Sequence, residues 1–157
     1  GDIAKLEKKV LKDKLEQMKN FKYQNPEELR VFEFRDEEYT ECLKTKKESE
    51  DKLEEEQKHL SEWESLTLRT SVSTIQSWEL KEIAVKLDSK FKFKVNSNML
   101  EINELRESCN DARKKSMSVI QSYLKIIEAC DENLKLMDEW NRFLDHWIKE
   151  EVGNLVL

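Results

Sequence analysis

The chain of 157 residues has 39% charged and 38% hydrophobic residues but only two glycines and one proline. Helix interiors exclude glycine and proline, whereas sheet proteins need them in turns, so this composition predicts long helices and excludes a mainly β fold. Four tryptophans, six phenylalanines and three tyrosines argue against disorder, and the formal net charge of −6 argues against a general nucleic-acid binder.

The N-terminal stretch predicts a short amphipathic helix over residues 2–20. Among many charges, it places these apolar residues at helical spacing: Ile3, Leu6, Val10, Leu11, Leu15 and Met18. The break that follows is well marked, because Asn25 is a good N-cap and Pro26 suits the first position of a helix. The sequence therefore predicts a second helix that starts at Pro26 and runs to about Leu68.

Polar residues separate the next elements. The run 69–74 is rich in serine and threonine and predicts a linker, because hydroxyl side chains compete with a helix for backbone hydrogen bonds. A third helix is predicted over residues 74–91, and the alternating run 90–95 suits a short strand. Residues 96–98 are typical of a turn, and Asn98 with Glu101 has capping-box spacing at the start of the last helix.

The last helix is predicted over residues 98–152 and is the longest. Two apolar columns with a spacing of seven residues run through it, and only Ser116 and Asn133 are clearly polar in those columns. A heptad repeat of this length indicates one continuous helix in a coiled coil, about 75–80 Å long. The predicted fold is therefore all-α: an elongated helical bundle or coiled coil in a single domain, with one very long C-terminal helix.

Net charge differs between the predicted elements. Counted on the sequence, residues 1–26 carry +3 and residues 65–98 carry +3, whereas residues 27–64 carry −8. Antiparallel packing of both short helices against the acidic helix brings opposite charges together. We therefore expect the last helix to pack beside the third and to project beyond it.

The C-terminal part of the last helix is the most apolar part of the chain, and no other predicted helix is long enough to cover it. An exposed stripe of this size is unusual in a soluble monomer, so we expect a homo-oligomer or a coiled-coil protein partner. Asn133 within the stripe either fixes register and oligomer state or is a partly exposed asparagine. The predicted partner-binding residues are Tyr123, Ile126, Ile127, Leu134, Met137, Trp140, Leu144 and Trp147.

The sequence contains little that indicates catalysis. Glu56 and His59 have the spacing of a di-iron ligand pair, but the second such pair that this site needs is missing, because Phe143 stands three residues before His146. The three cysteines are odd in number and far apart, which favours reduced, buried thiols in the cytoplasm or the nucleus, both of which are reducing compartments. We therefore expect no enzyme, no cofactor and no metal.

Two function classes remain. The first is a non-enzymatic scaffold or oligomerisation module that binds proteins in a cytoskeletal, centrosomal, kinetochore or trafficking assembly. The alternative resembles BAR-type modules, which are helical dimers that bind membrane surfaces, and it is weakened by the net acidity and by the short chain. Lysines that interleave with Phe91 and Phe93 are the candidate contacts to an anionic surface: Lys86, Lys90, Lys92 and Lys94.

Overall fold

The computed structural model describes residues 5–71, 76, 78–80, 82–83, 85–86 and 102–156. They contain helix α1 (Lys8–Asn20), a 3₁₀ helix (Pro26–Phe32), helix α2 (Asp36–Thr70) and helix α3 (Ile102–Val156). Residues 78–80, 82–83 and 85–86 are also helical, and no described residue is in a strand. The all-α bundle with one very long C-terminal helix is therefore confirmed. The predicted strand at 90–95 and turn at 96–98 lie outside the described residues.

Helix α1 begins at Lys8 rather than near residue 2, where the sequence predicted its start. Residues 5–7 are not helical, and Glu7 at the N-cap has an extended backbone with φ −91° and ψ 149°. The backbone N–H of Leu6 donates a hydrogen bond to Asn133 Oδ1 at 2.7 Å. A side chain of α3 therefore holds the backbone just before α1, which favours the extended conformation there.

The stretch from Pro26 to Thr70 is divided in two. Asn25 is an N-cap as predicted, because its Oδ1 accepts a hydrogen bond from the Glu27 N–H at 3.1 Å. The residues that it caps form the 3₁₀ helix, and the α-helix itself begins only at Asp36. The physical reason lies at Phe34, whose backbone is hydrogen-bonded to Asn141 of α3 and so is not available to a continuous helix.

Helix α3 has 55 residues, which corresponds to about 80 Å at 1.5 Å per residue. It continues through Gly153 to Val156, whereas the sequence predicted an end at residue 152. Gly153 costs the helix some stability but leaves all backbone hydrogen bonds possible, so the helix tolerates it. A Cβ atom at this position meets nothing within 4 Å.

The chain divides into two compact units. The terminal unit comprises Gly1–Glu50 and Lys125–Leu157, and the central unit comprises Asp51–Leu124. Helices α2 and α3 contribute residues to both. The prediction of a single domain stays a prediction, and each unit is described by itself.

The central unit has its own apolar core. Trp63 of α2 is 1% exposed, and Leu105 and Cys109 of α3 are 0% exposed. They form one buried cluster with Leu66, Ile83 and Ala112. At the end of α2 the Arg106 guanidinium donates to the carbonyl oxygen of Thr70 at 3.0 Å, where a cation also complements the negative end of the helix dipole.

Helix α1 packs in the terminal unit on α3 and on the 3₁₀ helix. Its buried residue, Met18, shares a core with Leu29, Trp140, Leu144 and Ile148. The charge pattern predicted antiparallel packing of α1 against the helix from Pro26, and the structure places α1 against the first residues of that stretch, the 3₁₀ helix, and also against α3. The apolar side of α1 decides its position here, because burial of a residue such as Met18 contributes about 1.5–3 kcal/mol whereas exposed charge pairs contribute about 0–1 kcal/mol.

Over the part of the chain that the structure describes, no helix contains a stretch long and apolar enough to cross a membrane.

Candidate functional site

The predicted partner-binding residues are partly covered within the chain. Met137, Trp140 and Leu144 are 5%, 6% and 0% exposed. The other five are half-buried: Tyr123, Ile126, Ile127, Leu134 and Trp147.

The N-terminal segment, residues 5–35, provides this cover at the C-terminal end of α3. Met18 and Leu29 form a buried cluster with Trp140, Leu144 and Ile148. Half-buried side chains of the same segment pack around that cluster: Leu11, Leu15, Tyr23, Phe32 and Phe34. The premise that the chain is unable to cover this stripe is therefore wrong for Trp140 and Leu144. We expected that only one long helix could cover this end of α3, but several short N-terminal elements cover it together.

Asn141 on α3 binds the backbone of the N-terminal segment with both ends of its amide. Its Oδ1 accepts the N–H of Phe34 at 2.8 Å, and its Nδ2 donates to the Phe34 carbonyl oxygen at 2.9 Å. Nδ2 also donates to the Tyr39 hydroxyl at 2.8 Å. Sequence reasoning missed this residue. The available signal was an asparagine inside a helix, next to the apolar columns, where it has a poor intrinsic propensity.

Two further side chains of α3 bind backbone groups of the N-terminal segment. The Trp140 indole Nε1 donates to the Phe32 carbonyl oxygen at 2.8 Å, and Asn133 accepts the Leu6 N–H. Asn133 is 7% exposed, so it is a buried asparagine and not a partly exposed one. Its role in fixing an oligomer stays a prediction, since the bond to Leu6 lies within the chain.

Ion pairs surround this apolar contact on the surface. Lys5 Nζ lies 2.8 Å from Glu132, and Arg30 Nη2 lies 2.9 Å from Asp145. Lys149 lies 2.9 Å from the other Asp145 oxygen. The hydrogen bonds from Lys149 and Arg30 hold the pKa of Asp145 below its ordinary value. Exposed pairs of this kind contribute about 0–1 kcal/mol each, so they orient the segment more than they stabilise it.

The remaining half-buried residues of the prediction lie in different surroundings. Ile126 and Leu134 pack against a small buried cluster of Cys42, Cys130 and Met137 in the terminal unit. Trp147 packs against the cluster around Leu144. Partner binding by these residues has no test in the structure and stays a prediction.

Large apolar side chains are exposed in both units. In the terminal unit Leu155, Val31 and Leu43 are 68%, 55% and 53% exposed. The central unit exposes the following residues. Trp78 is 63% exposed and Val85 is 66% exposed, and both are helical residues. Met117 and Leu124 of α3 are 45% and 41% exposed and lie seven residues apart. Residues one heptad apart lie on the same face of a helix, so Met117 and Leu124 share a face of α3. Leu68 near the end of α2 is 71% exposed.

The helical segments that expose these residues are buried on another face. Ile83 is 0% exposed between Trp78 and Val85, and Ser116 is 2% exposed beside Met117. Each helix therefore has one face toward the core and a second face with apolar side chains toward solvent. The sequence analysis singled out neither Trp78 nor Met117, so it missed the second face.

The candidate anionic-surface contacts are described in part. Lys86 is exposed in helical backbone. Lys90, Lys92 and Lys94 lie outside the described residues. Contact of these four lysines with an anionic surface therefore stays a prediction.

Glu56 contacts both His59 and a residue of α3. His59 Nδ1 lies 3.7 Å from Glu56 Oε2, and the Ser116 hydroxyl donates to Glu56 Oε1. Among the described residues, no group of three or more histidine, cysteine, aspartate or glutamate side chains is placed to hold a metal ion. Glu56 thus links α2 to α3 within the central unit.

One groove of about 670 Å³ lies between the start of the N-terminal segment and α3. Leu6 and Leu136 line it together with lysines and glutamates: Lys5, Glu7, Lys8, Glu132, Lys135 and Glu139. Ligand pockets have a few converging polar groups, whereas six of the eight residues that line this groove are charged, with both signs present.

No family model matches this chain, and neither the curated proteins nor the solved structures contain a match to it.

Proposed function

We propose that this protein is a non-enzymatic helical scaffold that binds a second α-helical chain through the exposed apolar face of its central unit. The first candidate for that chain is a second copy of the protein. The observation that carries the proposal is the pair Met117 and Leu124, which are exposed on α3 at heptad spacing. A face with this spacing is what a helix presents to another helix in a coiled coil.

The central unit also exposes a tryptophan, which supports a protein partner for this unit. Trp78 is 63% exposed, and tryptophan is enriched among the residues that dominate binding energy in protein interfaces. Val85 in the same unit is 66% exposed. Large apolar side chains on two helical segments of one unit favour a protein partner over a small molecule.

This proposal moves the partner surface away from the C-terminal end of α3. Trp140 and Leu144 are buried against the N-terminal segment, so they are not free to receive a partner without displacing Met18 and Leu29. The assembly type stays as the sequence suggested: a cytoskeletal, centrosomal, kinetochore or trafficking complex in a reducing compartment such as the cytoplasm.

Sedimentation velocity over protein concentrations from low to high micromolar tests the proposal. We expect the wild type to associate, and the double variant Met117→Glu/Leu124→Glu to sediment as a monomer with unchanged helical circular dichroism. The matched control is Val31→Glu/Leu43→Glu, which changes residues that are 55% and 53% exposed in the terminal unit. The control is expected to associate like the wild type.

A wild type that stays monomeric, or a double variant that associates normally, contradicts self-association through this face. Co-sedimentation with anionic vesicles tests the alternative in the same samples. Binding to vesicles that is lost when Lys86, Lys90, Lys92 and Lys94 are changed to serine favours the BAR-like alternative.

A further inference from the structure

Two cysteines that are 88 positions apart in the chain meet in the terminal unit. Cys42 lies on α2 and Cys130 on α3, and both belong to one buried cluster with Met137. The Cys42 thiol donates to the backbone carbonyl oxygen of Cys130 at 3.2 Å. The sequence contains no paired-cysteine motif, so only the packing of α2 against α3 brings these residues together.

Both cysteines are buried, and the surroundings favour the thiol form of Cys42 at neutral pH. Cys42 is 4% exposed and Cys130 is 0% exposed. Burial raises the pKa of the Cys42 thiol to about 11, and the neighbouring Cys130 side chain raises it as well. Because the thiolate is the reactive form, thiol exchange in the folded protein is expected to be slow.

We propose that Cys42 and Cys130 are a reversible redox pair that closes to a disulfide and cross-links α2 to α3. The oxidant is a small disulfide of the glutathione class. The thiolate of one cysteine attacks a sulfur of oxidised glutathione, forms a mixed disulfide and releases one glutathione thiolate. The second cysteine thiolate attacks the mixed disulfide and releases the other.

The reaction is balanced. The two cysteine thiols lose two protons and two electrons, and one oxidised glutathione takes them up to become two reduced glutathione molecules. The two S–H bonds and the glutathione S–S bond are exchanged for one protein S–S bond and two glutathione S–H bonds. Reduction by excess reduced glutathione reverses both steps.

Cys109 provides a matched control within the same chain. It is 0% exposed, and burial raises its pKa to about 11. Its cluster in the central unit contains neither of the other two cysteines. Cys109 therefore has the same burial and the same kind of pKa shift as Cys42, but it has no second thiol beside it in that cluster.

The experiment equilibrates the full chain in glutathione buffers of graded redox ratio. Reactions are stopped with acid, free thiols are alkylated, and intact mass and peptide mapping locate the bonds. Burial slows thiol–disulfide exchange in the folded protein. A second set of samples is therefore refolded from urea in the same buffers, so that glutathione reaches both thiols before they are buried.

We expect a species that has lost two hydrogen atoms and contains a cross-linked peptide joining Cys42 to Cys130. The cross-link is absent from the Cys42→Ser and Cys130→Ser variants and unchanged in Cys109→Ser. Because it closes a long loop, the cross-link raises the Tm of the oxidised protein by about 5–10 °C relative to its reduced form.

Two results overturn the proposal. One is the absence of the Cys42–Cys130 cross-link from refolded samples in excess oxidised glutathione, including the case in which only mixed disulfides with glutathione form. The other is a cross-link that joins Cys109 to either cysteine as often as it joins Cys42 to Cys130, which indicates random pairing in the unfolded chain.

Discussion

Asparagine side chains on α3 serve as hydrogen-bond partners for backbone that lies outside the regular helices. Asn133 accepts the Leu6 N–H, and Asn141 bonds both the N–H and the carbonyl oxygen of Phe34. A buried backbone group without a partner costs about 1–3 kcal/mol, so these two amides allow non-helical chain to lie against an apolar helix. These amides thus satisfy the backbone where the N-terminal segment meets α3, and the apolar cluster around Met18 holds α1 there.

The first prediction concerns Asn141. Replacing Asn141 by Ala removes both bonds to the Phe34 backbone and is expected to destabilise the protein by about 1–3 kcal/mol. Urea unfolding followed by circular dichroism measures this change. The control is Gln121→Ala on an exposed position of α3, for which a change of at most about 0.5 kcal/mol is expected. An Asn141→Ala variant as stable as the control contradicts the structural role given to this amide.

At the scale of whole elements, helix ends differ most from the sequence-based expectation. Helix α1 begins at Lys8 because the preceding backbone is bound to α3, and α2 begins at Asp36 because Phe34 is bound to Asn141. Helix α3 shows the reverse effect, since it continues past Gly153. Long-range hydrogen bonds therefore shorten α1 and α2 relative to the prediction. In α3 the poor helix propensity of Gly153 predicted an end, but the helix continues past it.

The second prediction concerns Gly153. Alanine in a helix is more favourable than glycine by about 0.5–1 kcal/mol, and a Cβ atom at Gly153 meets no neighbour within 4 Å. Gly153→Ala is therefore expected to raise stability by up to about 1 kcal/mol and to slow amide hydrogen exchange from 150 to 155. Gly153→Pro provides the opposite change, since it removes a helical N–H and is expected to loosen the same residues. Unchanged exchange in Gly153→Ala is evidence against a helix through this position.

At the scale of the whole molecule, each of the two compact units has its own buried core. Trp63, Leu105 and Cys109 lie in the core of the central unit, whereas Met18 and Leu144 lie in that of the terminal unit. A substitution at Leu144 therefore acts on folding of the terminal unit, and the proposed partner face at Met117 and Leu124 is a separate surface.

The third prediction distinguishes a core from an interface at Leu144. The sequence suggested that glutamate at Leu144 and Trp147 dissociates an oligomer and leaves the helices folded. Because Leu144 is 0% exposed within the chain, Leu144→Glu is now expected to destabilise the folded protein by about 3 kcal/mol or more. Urea unfolding measures this loss, with Leu43→Glu as the control, because Leu43 is 53% exposed in the same unit. A Leu144→Glu protein that is dissociated and as stable as the wild type contradicts this prediction and indicates that Leu144 lies in a partner interface.

The sequence by itself determined the helical fold and the long helix α3, because helix formation depends on composition and on repeats within a few turns of chain. The near absence of glycine and proline and the heptad columns from Leu105 to Trp147 are local properties of this kind. The Asn25 cap followed by Pro26 is another local signal, and the structure confirms the cap.

Only the tertiary structure decided what covers the apolar end of α3. The contacts of Met18 with Leu144, of Phe34 with Asn141 and of Cys42 with Cys130 join residues about 90 to 130 positions apart. No periodicity within either partner specifies such a contact, since each side chain is equally suited to a second copy of the chain. Whether the N-terminal elements or a second chain cover α3 depends on two quantities: the apolar surface that these elements bury and the backbone hydrogen bonds that they make. Both are properties of the folded chain.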